Sequence, residues 1–328
     1  MTPIRSRQDG RLSARVTRRW PLWYDAPPDP SLDRPGHVRA GSALVRVGPR
    51  LVIVQDDANF LALVDPDTRA VRALTLPEGP GGKRQFDQGR GNKLDKLDLE
   101  SAVALGDQGL LAFGSGSAPG RDRILRVTDL HGAAPRVELI TAGPLYARLA
   151  AEPRFAGSEL NIEGAVRLGD TLRLFNRGNG APRGGLRPVN ASLDLSWPAL
   201  LRWLNDPGAP PPEPAAVMRY DLDGLSGVDL TLTDATICPS GVLYLAAAED
   251  SPDAVYDGPV RGVAVGVLGE RGGRWAPLLG EDGLPCCDKA EGVCLDPDDP
   301  RRGAVVFDLD DPDRPTELAE IRLEGAWW

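Results

Sequence analysis

One unit of sequence recurs five times along this chain of 328 residues, and a repeat of roughly 60 residues restricts the fold more than any single motif does. Each copy opens on an acidic or hydroxyl residue and a small one. An alternating apolar strand follows, then a tight Gly/Asp turn, a second strongly apolar strand and a polar loop. The copies are GSALVRVGPRLVIVQDD from Gly41, LESAVALGDQGLLAFGSGS from Leu99, IEGAVRLGDTLRLFNRGNG from Ile162, TDATICPSGVLYLAAAEDS from Thr233 and AEGVCLDPDDPRRGAVVFDLDD from Ala290. Aligned, they place Ser42, Glu100, Glu163, Asp234 and Glu291 at one equivalent position.

Each unit continues into a third strand such as DRILRVTDL and a fourth such as PRVELIT, which together make a four-stranded antiparallel blade. A blade cannot bury both faces alone, so the copies must stack. The expected fold is all-β: a five-bladed β-propeller of four-stranded blades over about residues 37–78, 93–141, 158–222, 229–280 and 288–324, forming one domain over 1–328. The last copy runs out after three strands. The alternating segment at residues 11–22, LSARVTRRW in the main, is expected to supply its outer strand and to remove an exposed edge. LDLSWPALLRWLNDPG offers Ser196 as an N-cap and Pro198 in the first turn, so a short helix is expected within the third blade, and PLYARLAAEPRF is a candidate for another.

Gly and Pro, 38 and 31 residues, punctuate the chain without a short period, while 41% of it is apolar, enough for a core. The net charge of −9 argues against a nucleic-acid binder, because phosphate contacts need clustered Lys and Arg. Only Lys83, Lys93, Lys96 and Lys289 are lysine, a skew that carries no function. No run approaches the roughly 20 apolar residues that cross a bilayer, and the N-terminus lacks the apolar core of a secretion signal. No membrane contact and a cytoplasmic location are the expectation. Cys238, Cys286, Cys287 and Cys294 form no C-x-x-C knuckle and are expected to be reduced, partly buried thiols. With only His37 and His131, a Ser/His/Asp system or a His-rich zinc site has little to work with.

In a propeller the innermost strands line the channel, so Glu100, Glu163, Asp234 and Glu291 should converge at its mouth with the Ser42 hydroxyl. Two carboxylates about 6 Å apart repel by roughly 3 kcal/mol at an effective dielectric near 20. Four together need a counterion. Calcium suits an all-oxygen donor set; the acids could instead pair with Lys93, Lys96, Lys289 or arginines as a purely structural network. Loops after the second strands should share this face, bringing Arg121, Asn176, Arg177, Arg183, Arg187, Glu249, Asp250, Asp308 and Asp310. The arginines suit a small anion. The Gly-rich strings GSGSAPG and RGNGAPRGG do not open a helix of a βαβ unit, and DLDGLSGVD and DPDDP read as turns.

Taken together, LDLESAVAL, LNIEGAVRLGDTLRLFNRGNG, LTDATICPSGVLYLAAAEDS and KAEGVCLDPDD resemble a bacterial propeller family known as a domain of unknown function, over nearly the whole chain. The ring is similar to that of calcium-activated nucleotidases, five-bladed propellers whose inner-strand Ser and Glu residues hold calcium. The matching positions are Ser42, Glu100, Glu163 and Glu291; Asp234 departs from the serine expected in that blade. The resemblance implies metal binding at those four positions, and the repeat alignment adds Asp234, giving a metal set of Ser42, Glu100, Glu163, Asp234 and Glu291. The reading that follows is a calcium-binding propeller that hydrolyses a phosphorylated or otherwise anionic small molecule, with Glu163 among the acids that accept a proton from water and Arg177 and Arg183 stabilising charge. The alternative is a non-catalytic binding or scaffold propeller with a structural acidic channel.

Overall fold

The first two segments, β1 (Ile4–Gln8) and β2 (Ser13–Pro21), stand ahead of the repeats. The computed structural model describes residues 2–206, 208–250, 258–269 and 272–328. In it the alternation of each repeat becomes an antiparallel meander. The first is β3 (Gly41–Val47), β4 (Arg50–Gln55), β5 (Phe60–Val64) and β6 (Val71–Thr75). The second is β7 (Leu99–Ala104), β8 (Leu110–Gly114), β9 (Arg123–Thr128) and β10 (Arg136–Thr141). The third is β11 (Ile162–Leu168), β12 (Thr171–Asn176), β13 (Asn190–Ser196) and β14 (Pro214–Asp221). A two-residue hairpin, β15 (Gly224–Leu225) and β16 (Val228–Asp229), leads into β17 (Thr231–Cys238), β18 (Gly241–Glu249), β19 (Val260–Gly269) and β20 (Gly272–Leu279). The last group is β21 (Lys289–Leu295), β22 (Arg302–Asp308) and β23 (Glu317–Glu324). The tight turns fall where the sequence puts glycine: Gly48 and Gly169 take left-handed backbone between the first and second strands of their units.

This is an all-β, propeller-like arrangement of antiparallel sheets. The first strands pack side by side: β3 against β7, β7 against β11, β11 against β17, β17 against β21, and β21 against β3. The core is correspondingly divided into apolar layers between successive sheets. Val54 and Leu61 meet Leu99 and Leu125, and Phe113 meets Leu172. Phe175 meets Tyr244, and Leu245 meets Phe307. Ile53 and Leu51 meet Val306 and Leu318, so the last sheet packs on the first. A Cβ built on Gly292 of β21 would lie 2.6 Å from the Leu44 amide of β3. Only glycine permits that approach.

β2 pairs antiparallel with β23, from Ser13 opposite Glu324 to Pro21 opposite Glu317, and so becomes the fourth strand of the last sheet. β1, which the repeat pattern does not reveal, lies parallel between β14 and β20 and joins the outer edges of the third and fourth groups. The helix expected within the third group is α3, Trp197–Asn205, with the Ser196 hydroxyl accepting from the Ala199 amide. PLYARLAAEPRF becomes two helices, α1 (Gly143–Ala150) and α2 (Pro153–Ala156). They break at Glu152, whose carboxylate caps the second at the Arg154 amide ahead of Pro153. The return connection Pro207–Pro214 is described from Gly208 onward.

Ala14 and Val16 of β2 are buried against the last two sheets. Val16→Asp puts an unpaired charge there, and the expected loss is about 3 kcal/mol or more in urea unfolding. A loss below about 1 kcal/mol would show that β2 is dispensable.

Candidate functional site

Each inner strand carries a β-bulge in its first half, and in four of the five the bulged residue lines the channel cavity. The register shifts lie between Gly41 and Ala43, Leu99 and Ser101, Ile162 and Gly164, Leu232 and Asp234, and Ala290 and Gly292. A bulge re-aims one side chain and ends regular pairing, which is why it recurs beside sites. The bulged residues are Ser42, Glu100, Glu163, Thr233 and Glu291.

Asp234 is therefore corrected. In the fourth unit the sequence alignment slips by one residue, and Thr233 occupies the ring position. The two hydroxyl members behave alike: Ser42 Oγ donates to the Leu99 carbonyl at 2.6 Å, and Thr233 Oγ1 to the Ala290 carbonyl at 2.7 Å. Each ties its inner strand to the residue just before a ring glutamate of the next. Asp234 turns between strands, where its carboxylate accepts from the Val293 amide at 2.7 Å. Burial holds its pKa well above the usual carboxylate range, against that hydrogen bond.

Ser42, Glu100, Glu163 and Glu291 line a cavity of about 350 Å³ at the end of the channel where the inner strands begin. Among the described residues, eleven Asp and Glu side chains line it against five Lys and Arg. Arg177 sits in the middle. Its Nη2 is 2.5 Å from Glu249, its Nη1 is 3.5 Å from Glu163 and 3.7 Å from Glu291, and its Nε donates to Thr231. Glu163 also accepts from Asn161 at 2.7 Å. Lys289 lies 3.5 Å from both Glu291 and Asp310. Even so, neither carboxylate oxygen of Glu291, buried at 3% exposure, accepts a hydrogen bond.

A second cluster faces the same space. Asp56, Asp98 and Glu100 each bring an oxygen within 4.8 Å of the others. Lys96 pairs with Asp56 and, at 2.6 Å, with Asp98, whose other oxygen meets Arg121 at 2.9 Å and the Ser115 hydroxyl. Burial raises the Asp98 pKa, but Lys96 and Arg121 outweigh it and hold the carboxylate low. Glu100 goes the other way. Burial and repulsion from Asp56, Asp98 and Glu163 push it well up, with Lys96 offsetting only part. Burial likewise raises Glu163 and Glu291 despite Arg177 and Lys289, and raises Asp308 with help from Asp310. Asp57 is pushed up to about 6 by burial and by Asp56, against Arg39.

The expected anion-binding arginines are not free to serve. Arg121 and Arg177 are buried on carboxylates, while Arg183 is exposed outside the cavity and pairs with Glu159 at 2.8 Å. Arg187 is exposed, and Asn176 caps the Asn161 amide. Asp308 and Asp310 do line the cavity, as expected, and of the EDSPDAVYDG loop residues 251–257 lie outside the described residues. The sequence reading passed over Asp56, Asp57 and Asp98. The first two end the second strand of the first unit, where the reading already placed the loops of this face. Near the rim, His37 meets the Pro312 carbonyl and the exposed Trp23 ring. Three of the unpaired cysteines are buried, whereas Cys287 is exposed.

An all-β, propeller-like protein with a carboxylate-rich channel mouth is the class these features define. Residues 37–323 match DUF6929, a family of unknown function, and the chain belongs to that family. No curated protein matches it. Among solved structures it is similar to a candidate glycosidase from Bacteroides thetaiotaomicron VPI-5482, at 10% identity over 87% of both chains with a TM-score of 0.45. It is also similar to the calcium-binding protein regucalcin from Agrobacterium tumefaciens str. C58, at 10% identity over 89% of this chain and 93% of that one, TM-score 0.42. The PQQ-bound aldose sugar dehydrogenase of Streptomyces coelicolor matches at 13% identity over 97% and 100%, TM-score 0.41. No residue role is carried across from them. Among the described residues no helix is long and apolar enough to cross a membrane.

The raised acids give a signed pH dependence. Their pKa values lie above the roughly 4 of unfolded carboxylates, so the folded state binds protons first and stability falls as pH rises through the higher values. The metal-free protein is expected to melt at higher temperature at pH 6 than at pH 8. Below about pH 4.5 the trend reverses, as paired carboxylates such as Asp98 and Asp9, both held low by basic partners, take up protons. A melting temperature that rises from pH 6 to pH 8 would contradict this electrostatic account.

Proposed function

We propose that the protein is a closed five-bladed propeller over residues 1–328 and that its acidic mouth binds a divalent cation, calcium in particular. The observation that carries this reading is the surplus of acidic over basic side chains around the cavity. Among the described residues eleven Asp and Glu side chains line it beside five Lys and Arg, and the buried Glu291 carboxylate has Lys289 and Arg177 near it but accepts no hydrogen bond. A small hard cation answers that surplus. The donors are oxygens alone, which suits calcium with its six to eight loosely arranged ligands and disfavours zinc. Asp56, Asp98 and Glu100 are the set that would hold the ion, with Glu163 and Glu291 facing it across the cavity. The ring hydroxyls of Ser42 and Thr233 serve the strands instead.

For a small anionic substrate the consequence is specific. Arg177 is consumed by glutamates and Arg183 lies outside the cavity, so neither stabilises charge on a substrate. An anion enters this negative pocket only in company with a bound cation. Binding of the cation is therefore the primary activity, and hydrolysis of a phosphorylated or other anionic molecule would depend on it.

Calorimetric titration of metal-stripped protein with CaCl₂ tests the proposal. One binding event is expected, weakened at least tenfold in Glu100→Gln and Asp56→Asn and unchanged in Arg183→Gln. Absence of binding in the wild type would leave the acids as a structural network and the molecule as a scaffold.

A further inference from the structure

Asp56, Asp98 and Glu100 already have a cation among them, and it belongs to the chain. Lys96 is 8% exposed, pairs with Asp56 and Asp98, and lines the same cavity. One ammonium stands against three carboxylates, and Arg121 offsets charge only on the far oxygen of Asp98. The lysine is a compact charge on a flexible four-carbon stem, so it can leave without any movement of the backbone. It follows directly the short helical turn Lys93–Asp95, whose Leu94 is exposed, and Lys93 lines the cavity beside it.

We propose that Lys96 is a tethered stand-in for the divalent cation: an ion that enters the Asp56, Asp98 and Glu100 cluster displaces the ammonium into the cavity, and the affinity is set by competition with this lysine. The inference rests on the cation-site reading above. A divalent ion on these oxygens, which lie within 4.8 Å of one another, would repel the ammonium that pairs with two of the same carboxylates, and it neutralises the cluster more fully than the ammonium does. The lysine keeps the empty cluster tolerable and lowers the apparent affinity by the fraction of time it occupies the site.

Calorimetric titration with CaCl₂ of the metal-stripped wild type and of Lys96→Met separates the possibilities. Methionine keeps the length of the stem and removes the charge, and the dissociation constant is expected to fall at least tenfold. Binding by the variant alone would also support the exchange. Equal or weaker binding beside a wild type that binds would overturn the exchange and leave the cation site standing. No binding in either protein would overturn both. A second measurement needs only the wild type: brief acetylation with an N-hydroxysuccinimide ester, read by mass spectrometry. Lys96 is expected to be protected in EGTA and, in saturating CaCl₂, to react at least tenfold faster, approaching the exposed Lys83. Equal protection of Lys96 in both states would overturn the proposal even if the methionine variant failed to fold.

Discussion

The close approach of the inner strands governs the rest of the molecule. Five strands that begin beside one another leave little room between them behind the ring residues. After each ring residue stand Ala43, Ser101, Gly164, Asp234 and Gly292, and a Cβ on Gly164 would lie 3.2 Å from the Ala235 amide. The bulge resolves the crowding by turning one residue per strand into the channel and letting the next strand close in behind it. Backbone packing thus decides which side chains face the cavity. Chemistry is then chosen at those positions: two hydroxyls satisfy neighbouring carbonyls, and of the three glutamates Glu291 accepts no hydrogen bond at all.

That shortage gives the site its electrostatic character. Arg177 reaches three glutamates at once and Lys96 reaches two aspartates, so the cations are shared more widely than their charge allows. Burial magnifies each unmatched charge. Of the loop arginines that look like an anion site in the sequence, Arg121 and Arg177 hold this cluster together, while Arg183 and Arg187 lie exposed away from it.

Much of the fold was legible because the repeat is carried by apolar alternation, which packing enforces in every sheet. Glu100, Glu163 and Glu291 were legible for the same reason. The fourth unit was misread because Leu-Thr-Asp-Ala offers two adjacent polar residues, and only hydrogen-bond register tells which of them bulges. Asp56 and Asp98 were missed because they lie outside the repeated position, and their meeting with Glu100 depends on how two neighbouring sheets are placed. Arg183 misled because a Gly-rich loop leaves its side chain's direction unspecified. β1 was invisible because five residues pairing parallel with two distant edges leave no periodic trace.

The pairing of β2 with β23 has a consequence for the order in which the chain acquires its structure. Ser13 lies opposite Glu324, so β2 leaves the ribosome long before the strand it pairs with. Until then the outer edge of the final sheet stays open, and β2 remains an unpaired strand available to other chains. The contact between β2 and β23 spans almost the whole chain, and bringing its two ends together carries a correspondingly large loop-closure entropy.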